Sequence, residues 1–232
     1  MQTFFKIIFV LLFTLLLSHN LFSESKDPVR GKNGMVVTAS ELASKVGVEI
    51  LKKGGNAVDA AVAVGFALAV TYPAAGNIGG GGFMVIHLSD GTNTTIDYRE
   101  KAPLAATEFL YQDSLGNFLP EKSQIGVTSS GVPGSVAGLI YALEKYGTLS
   151  LAEVIQPAID LARNGFVLEY RLARSLEYET ESFNKFESSK KTFTKNGTPY
   201  IEGELFIQND LAYTLEQIKL KGLDGFYSGR IA

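Results

Sequence analysis

Apolar positions recur with a helical period through most of the chain and cluster as an extended run in one place. Leu42, Val46 and Ile50 repeat every fourth residue with Ala43 and Leu51 beside them, which predicts a helix with one buried stripe, ended by Gly54 and Gly55. Thr38 and Glu41 read as its capping box, and GMVVTAS (34–40) as a short buried strand that feeds it. The next run, AVDAAVAVGFALAV, is apolar on nearly every side. It predicts a core helix from an N-cap at Asn56 to Val70, stopped by Tyr72-Pro73 because proline disfavours helical angles in the residue before it. Val136, Leu139, Ile140 and Leu143 form a third stripe, with Ser135 as its cap and Gly147 as its end. Ser150 and Glu153 make a capping box for the stripe of Leu151, Val154, Ile155, Ala158, Ile159 and Ala162, which ends at Asn164-Gly165 and carries Pro157 as a kink. Leu211, Leu215 and Ile218 predict one more helix over 210–221.

The extended run is FMVIHL (83–88), apolar on both sides apart from His87, and so expected to be a strand covered on both faces. Ser89-Asp90-Gly91 turns the chain, and Thr94 to Arg99 returns with Thr95, Asp97 and Arg99 on one face. Four consecutive glycines, Gly79 to Gly82, precede this hairpin and supply a backbone free to take left-handed angles or to approach another group closely. The order is loop then strand. A phosphate-binding glycine loop follows a strand and opens a helix, so nucleotide binding is disfavoured. Residues 102–122 read as surface loop with a turn at 113–117, and 170–200 as a mixed polar interval with an Asn196-Gly197 turn. Helices on either side of one hairpin indicate an α+β fold whose sheet is short of strands.

Composition narrows the function. With 46% hydrophobic residues over 232 positions the chain can bury a sizeable core, and a net charge of −3 gives no case for nucleic acid. Lys6 ahead of the apolar run Ile7–Leu17, then Ser18, His19 and Asn20, has the layout of a secretory signal peptide cut near Ser23, too short for a membrane span. This divides the chain into a signal peptide (1–23), a polar linker (24–33) and one domain (34–232), exported to a periplasmic or extracellular compartment with no stable membrane anchor. There is no cysteine, so no disulfide framework supports the fold.

Chemistry is limited by two histidines, His19 and His87. No zinc set, calcium loop or other metal site can be assembled, no cofactor is indicated, and His87, inside a strand expected to be buried, reads as a hydrogen-bonded structural residue. The nucleophile-elbow pattern fails around Ser135, where Pro133 and Ala137 replace its glycines. No catalytic residue is identified. Arg99 is the strongest polar candidate: a guanidinium at a strand end can grip a carboxylate through two parallel hydrogen bonds, or can pair internally with Asp97 or Glu100.

Several stretches in order, GGNAVDAAVAVGFALAVTYPAAGNIGGGGFMVIHL, DYREKAP, SGVPGSVAGLIYALEKYG and VIQPAIDLARNGF, resemble the large-subunit part of the γ-glutamyltransferases (γ-glutamyl transpeptidases) from about Gly34 to the last residue. The resemblance implies part of the four-layer αββα fold of the N-terminal nucleophile hydrolases, and transfer of a γ-glutamyl group from glutathione to water, an amino acid or a peptide. It also implies that Arg99, the arginine of an Asp-(Phe/Tyr/Ala)-Arg-Glu motif, holds the α-carboxylate of the γ-glutamyl group. In that family a threonine freed by self-cleavage is the nucleophile, in a motif with histidine two residues later. Here the residues two before His87 and His19 are Val85 and Leu17, so the motif is absent. The expectation is therefore a truncated portion of the family fold, inactive alone, with a separately encoded small-subunit half as its partner; the alternative is a non-catalytic exported remnant or γ-glutamyl-binding module.

Overall fold

The structure, a computed structural model, describes Lys6 and residues 27–232. The proposed signal peptide otherwise lies outside the described residues. The chain divides into two units, 1–35 and 36–232, and residues 27–35 of the first are exposed coil. Among the described residues no helix is long and apolar enough to cross a membrane.

In the second unit the helices follow the apolar periods. Helix α1 (Glu41–Lys52) turns Ala43, Gly47 and Ile50 inward, and α2 (Ala57–Thr71) is buried on nearly all sides, with Val62, Phe66 and Val70 fully enclosed. Asn56 caps α2 as the sequence predicted, and it also forms a capping box with Asp59 that the sequence expectation did not include. After hairpin β1 (Phe83–His87) and β2 (Asn93–Asp97) come the short α3 (Pro120–Gln124), then α4 (Ser135–Tyr146) and α5 (Leu151–Asn164). The Ser150–Glu153 capping box opens α5 as expected, and Gly165, at φ 75°, closes it. Around α2 pack α1, α4 and α5. Phe66, Val136, Ile155 and Ile159, each no more than 1% exposed, belong to this core.

The mixed interval is more ordered than its polarity indicated. Strand β3 (Phe166–Val167) pairs antiparallel with β4 (Leu205–Phe206), and between them lie α6 (Tyr170–Tyr178), α7 (Thr180–Phe183) and α8 (Glu187–Phe193). Phe206 anchors this region through edge-on contacts with Phe166 and Tyr200. The Asn196-Gly197 turn forms as predicted, with φ of 54° and 97° and Lys195 and Thr198 bonded across it. Helices α9 (Asn209–Lys221) and α10 (Asp224–Tyr227) complete the unit. Buried Gln208 donates to Val70 O (2.8 Å), tying the start of α9 to the end of α2.

Four local expectations are corrected. Residues 34–40 are not a buried strand: Met35 and Val37 are 51% and 82% exposed, and only Val36 packs inward, over Gly47. The α1 cap is Ser40, which accepts from Ala43 N; Thr38 is spent on the turn before it, bonded to Ser40 N and O, and Glu41 pairs with Lys45 at 2.7 Å. Gly134, not Ser135, caps α4, because the amides of both residues are taken by Gly80 O. The hairpin is covered on one face only, since β1 and β2 form a two-stranded sheet backed from one side: Ile86 and Ile96 are buried while Phe83 and Val85 are 64% and 81% exposed.

Candidate functional site

Residues 98–101 leave β2 and pass between two glycine-rich segments. On one side Tyr98 exchanges backbone bonds with Gly82 (Tyr98 N to Gly82 O, 3.0 Å; Gly82 N to Tyr98 O, 3.3 Å). On the other, Lys101 does the same with Val132 at 3.1 and 2.7 Å. The glycine segments are joined through Gly80 O, which accepts from Gly134 N (2.8 Å) and Ser135 N (3.0 Å). A methyl group on Gly81 would lie 2.6 to 2.8 Å from the backbone of Tyr98, Arg99 and Glu100, and one on Gly134 only 2.0 Å from Tyr98 O. None of Gly79 to Gly82 takes a positive φ. Gly81 and Gly82 are therefore required for close approach and not for left-handed geometry, which decides between the two uses that glycine permits at these positions.

The Tyr98 ring is set against α4 and the glycine run. A Cβ on Gly138 would meet its Cγ at 2.2 Å, and one on Gly82 its ring edge at 2.9 Å. Burial pushes the Tyr98 phenol above its usual pKa. Beside it lies a cavity of about 530 Å³ whose walls include Ile96, Pro133, Ala137, Tyr141 and Tyr227, with Arg99 and Lys101 on its lining. The Tyr227 hydroxyl donates to Pro133 O (2.9 Å) and accepts from Ala137 N (3.2 Å), satisfying an amide in the first turn of α4 and fixing the 131–134 loop. Burial raises the Tyr227 pKa, opposed by the bond from Ala137 N.

Arg99 stands exposed just beyond β2, on this clamped backbone. Its amide donates to Asp97 Oδ1 (3.0 Å), which occupies that carboxylate with backbone. The guanidinium lies over the Phe83 ring, 6.0 Å from its centroid. Among the described residues no ion pair includes Arg99, so pairing with Asp97 or Glu100 is not what the structure adopts. A planar cation on a rigid mount, with its donors free of any protein carboxylate, is able to take a carboxylate through two parallel bonds.

His87 departs from expectation. It is exposed near the turn, where Nδ1 lies 2.9 Å from Asn93 Oδ1, so it is hydrogen-bonded but not buried; its cross-strand partner is Asn93, on the uncovered face. Among the described residues no three His, Asp or Glu side chains come together as metal ligands.

Sequence reasoning missed the second half of the clamp. Gly131, Gly134 and Gly138 are as constrained as Gly81 and Gly82, and the signal was the pair Gly134 and Gly138, which share one helix face at i, i+4 spacing. Tyr98 stands inside the Asp-(Phe/Tyr/Ala)-Arg-Glu motif but gave no sign of its packing role, and Tyr227 carried no local signal.

An antiparallel hairpin backed by helices on one side is an α+β arrangement, and its likeness to solved gamma-glutamyltranspeptidases makes it a portion of the N-terminal nucleophile hydrolase fold. The solved Helicobacter pylori gamma-glutamyltranspeptidase superposes with a TM-score of 0.86 at 52% identity, over 88% of this chain and 59% of that one. The family model Gamma-glutamyltranspeptidase matches residues 43–232, and the chain belongs to that family. Glutathione hydrolase proenzymes from Pseudomonas sp. (strain A14) and Escherichia coli (strain K12) are 55% and 52% identical over 92% and 88% of the chain. The chain spans 37% and 36% of the length of these two relatives.

Proposed function

We propose that this chain contributes the carboxylate-binding side of a γ-glutamyltransferase, or glutathione hydrolase, in which Arg99 holds the α-carboxylate of glutathione or another γ-glutamyl compound. The observation that carries the reading is the rigid mounting of a guanidinium that no carboxylate among the described residues pairs with. The reaction in this reading is acyl transfer. A threonine attacks the γ-carbonyl carbon, the amine of the leaving cysteinyl peptide takes a proton as the amide bond breaks, and water or an amino acid then takes the γ-glutamyl group from the ester. That threonine belongs to polypeptide outside these 232 residues, either a continuation of the same chain or a separately encoded half. The open face of the hairpin, with Phe83 and Val85 exposed, suits covering by that polypeptide, and the edges of the two-stranded sheet suit further strand pairing. Residues 1–23 act as the cleaved export signal and 24–33 as a linker, delivering the domain to a periplasmic or extracellular compartment.

Calorimetry with L-glutamate and with glutathione tests the site. Arg99→Ala is expected to weaken binding about 10- to 100-fold, the worth of a charge-assisted pair at roughly 1.5–3 kcal/mol. Equal affinity for wild type and variant removes Arg99 from the site. Turnover of γ-glutamyl-p-nitroanilide by these residues alone would contradict the assignment of the nucleophile elsewhere.

A further inference from the structure

Phe83 is the one aromatic residue of the hairpin, and it is 64% exposed, so packing within these residues does not account for it. It follows the glycine run directly and pairs across the sheet with Asp97, whose carboxylate accepts from the Arg99 amide. The Arg99 guanidinium lies over its ring. The two residues are held from different sides: Phe83 by the β1–β2 register, and the Arg99 backbone by Gly81, Gly134 and the half-buried Tyr98 ring. A guanidinium over an aromatic face is attracted to the ring's negative π cloud, and here its central carbon lies 6.0 Å from the centroid, within reach of that attraction.

We propose that Phe83 is a positioning residue for Arg99: its ring is the platform that holds the guanidinium plane and presents the N–H edge to an incoming carboxylate. The inference rests on the carboxylate-binding role proposed above for Arg99 and adds the residue that orients it. It gives the exposed phenylalanine a use that an apolar surface patch does not, because it requires the π face and not merely a hydrophobic side chain. Leucine keeps the apolarity and loses the platform, whereas tyrosine keeps the platform.

The experiment compares wild type, Phe83→Leu, Phe83→Tyr and Arg99→Ala in the full chain. The first readout is the Arg99 Nε–Hε resonance in the ¹⁵N-labelled protein, assigned by its loss in Arg99→Ala. The ring current of Phe83 is expected to displace this resonance; the displacement disappears in Phe83→Leu and is kept in Phe83→Tyr. The second is affinity for L-glutamate, expected to fall about 2- to 5-fold in Phe83→Leu, the worth of an exposed cation–π contact, and to be restored in Phe83→Tyr. An Arg99 resonance unmoved by Phe83→Leu overturns the proposal, as does glutamate binding lost equally in the leucine and tyrosine variants. The failure of the underlying reading looks different: wild type and Arg99→Ala bind glutamate equally, and the resonance alone then decides whether Phe83 holds Arg99. Because Phe83 projects from the open face, melting temperatures equal to wild type are expected for both substitutions and separate positioning from folding.

Discussion

Asp59 and Arg99 are both charged residues beside glycine-rich turns, and the molecule treats them in opposite ways. Asp59, fully buried at the start of α2, accepts from Asn56 N (2.7 Å), Thr148 N (2.8 Å), Thr148 Oγ1 (2.7 Å) and Leu149 N (3.1 Å). Burial alone would push its pKa up; the hydrogen bonds outweigh it and hold the carboxyl below its ordinary value. Arg99 is exposed, its backbone is clamped, and its side chain rests on a ring. A charge saturated from within has no capacity left for a ligand and serves to join two segments of chain. A charge with unspent donors on a rigid mount costs little in solvent and keeps its capacity for a partner.

The contrast is broken most directly at Asp59. Asp59→Ala strands donors on Asn56, Thr148 and Leu149 and is expected to cost about 3–5 kcal/mol in urea unfolding, at the upper end for a single substitution. A loss below about 1 kcal/mol would place Asp59 with the ordinary polar residues. Next in size is Gly138→Ala, which drives a methyl group to 2.2 Å from Tyr98 Cγ and is expected to cost about 1–3 kcal/mol by overpacking. The same variant should shift the Arg99 backbone amide in a ¹⁵N spectrum, and an unmoved amide would show that the clamp does not reach Arg99.

Acid sharpens the comparison further. A folded pKa held below the unfolded one means that Asp59 contributes its full stability above the unfolded carboxyl pKa and loses it as the pH falls through the folded value. Unfolding curves measured down this range should show stability falling more steeply in wild type than in Asp59→Ala; parallel curves would deny the hydrogen-bonded carboxylate its role. The smallest effect is expected at the other pole, where Arg99→Ala should change unfolding free energy by less than about 0.5 kcal/mol while removing carboxylate affinity. A large loss of stability there would recast Arg99 as structural.

The residues that were legible in the sequence carry their instructions locally. Asn56 caps α2, Ser150 and Glu153 cap α5, and Gly165 and Asn196-Gly197 mark positions where the backbone must take positive φ. Arg99 was singled out by residue type and then by the family motif, and the structure places it at the strand end that the sequence indicated. The errors arose where local signals compete. Thr38, Ser40 and Ser135 are all capable caps, and the choice among them depends on which amides other segments have already taken.

Sequence alone therefore determined helices α1, α2, α4, α5 and α9, the hairpin turn and the candidate arginine, because periodicity and turn chemistry act over a few residues. Tertiary structure decided the rest. Asp59 reaches Thr148, 89 residues away, and this long-range partnership turns a helix-cap carboxylate into a junction between segments. Apolar alternation cannot say whether a second layer covers Phe83 and Val85, so only packing exposed that face. The glycines of two distant loops had no visible purpose until Tyr98 was found between them, since close approach is a relation between segments and leaves no mark on either one.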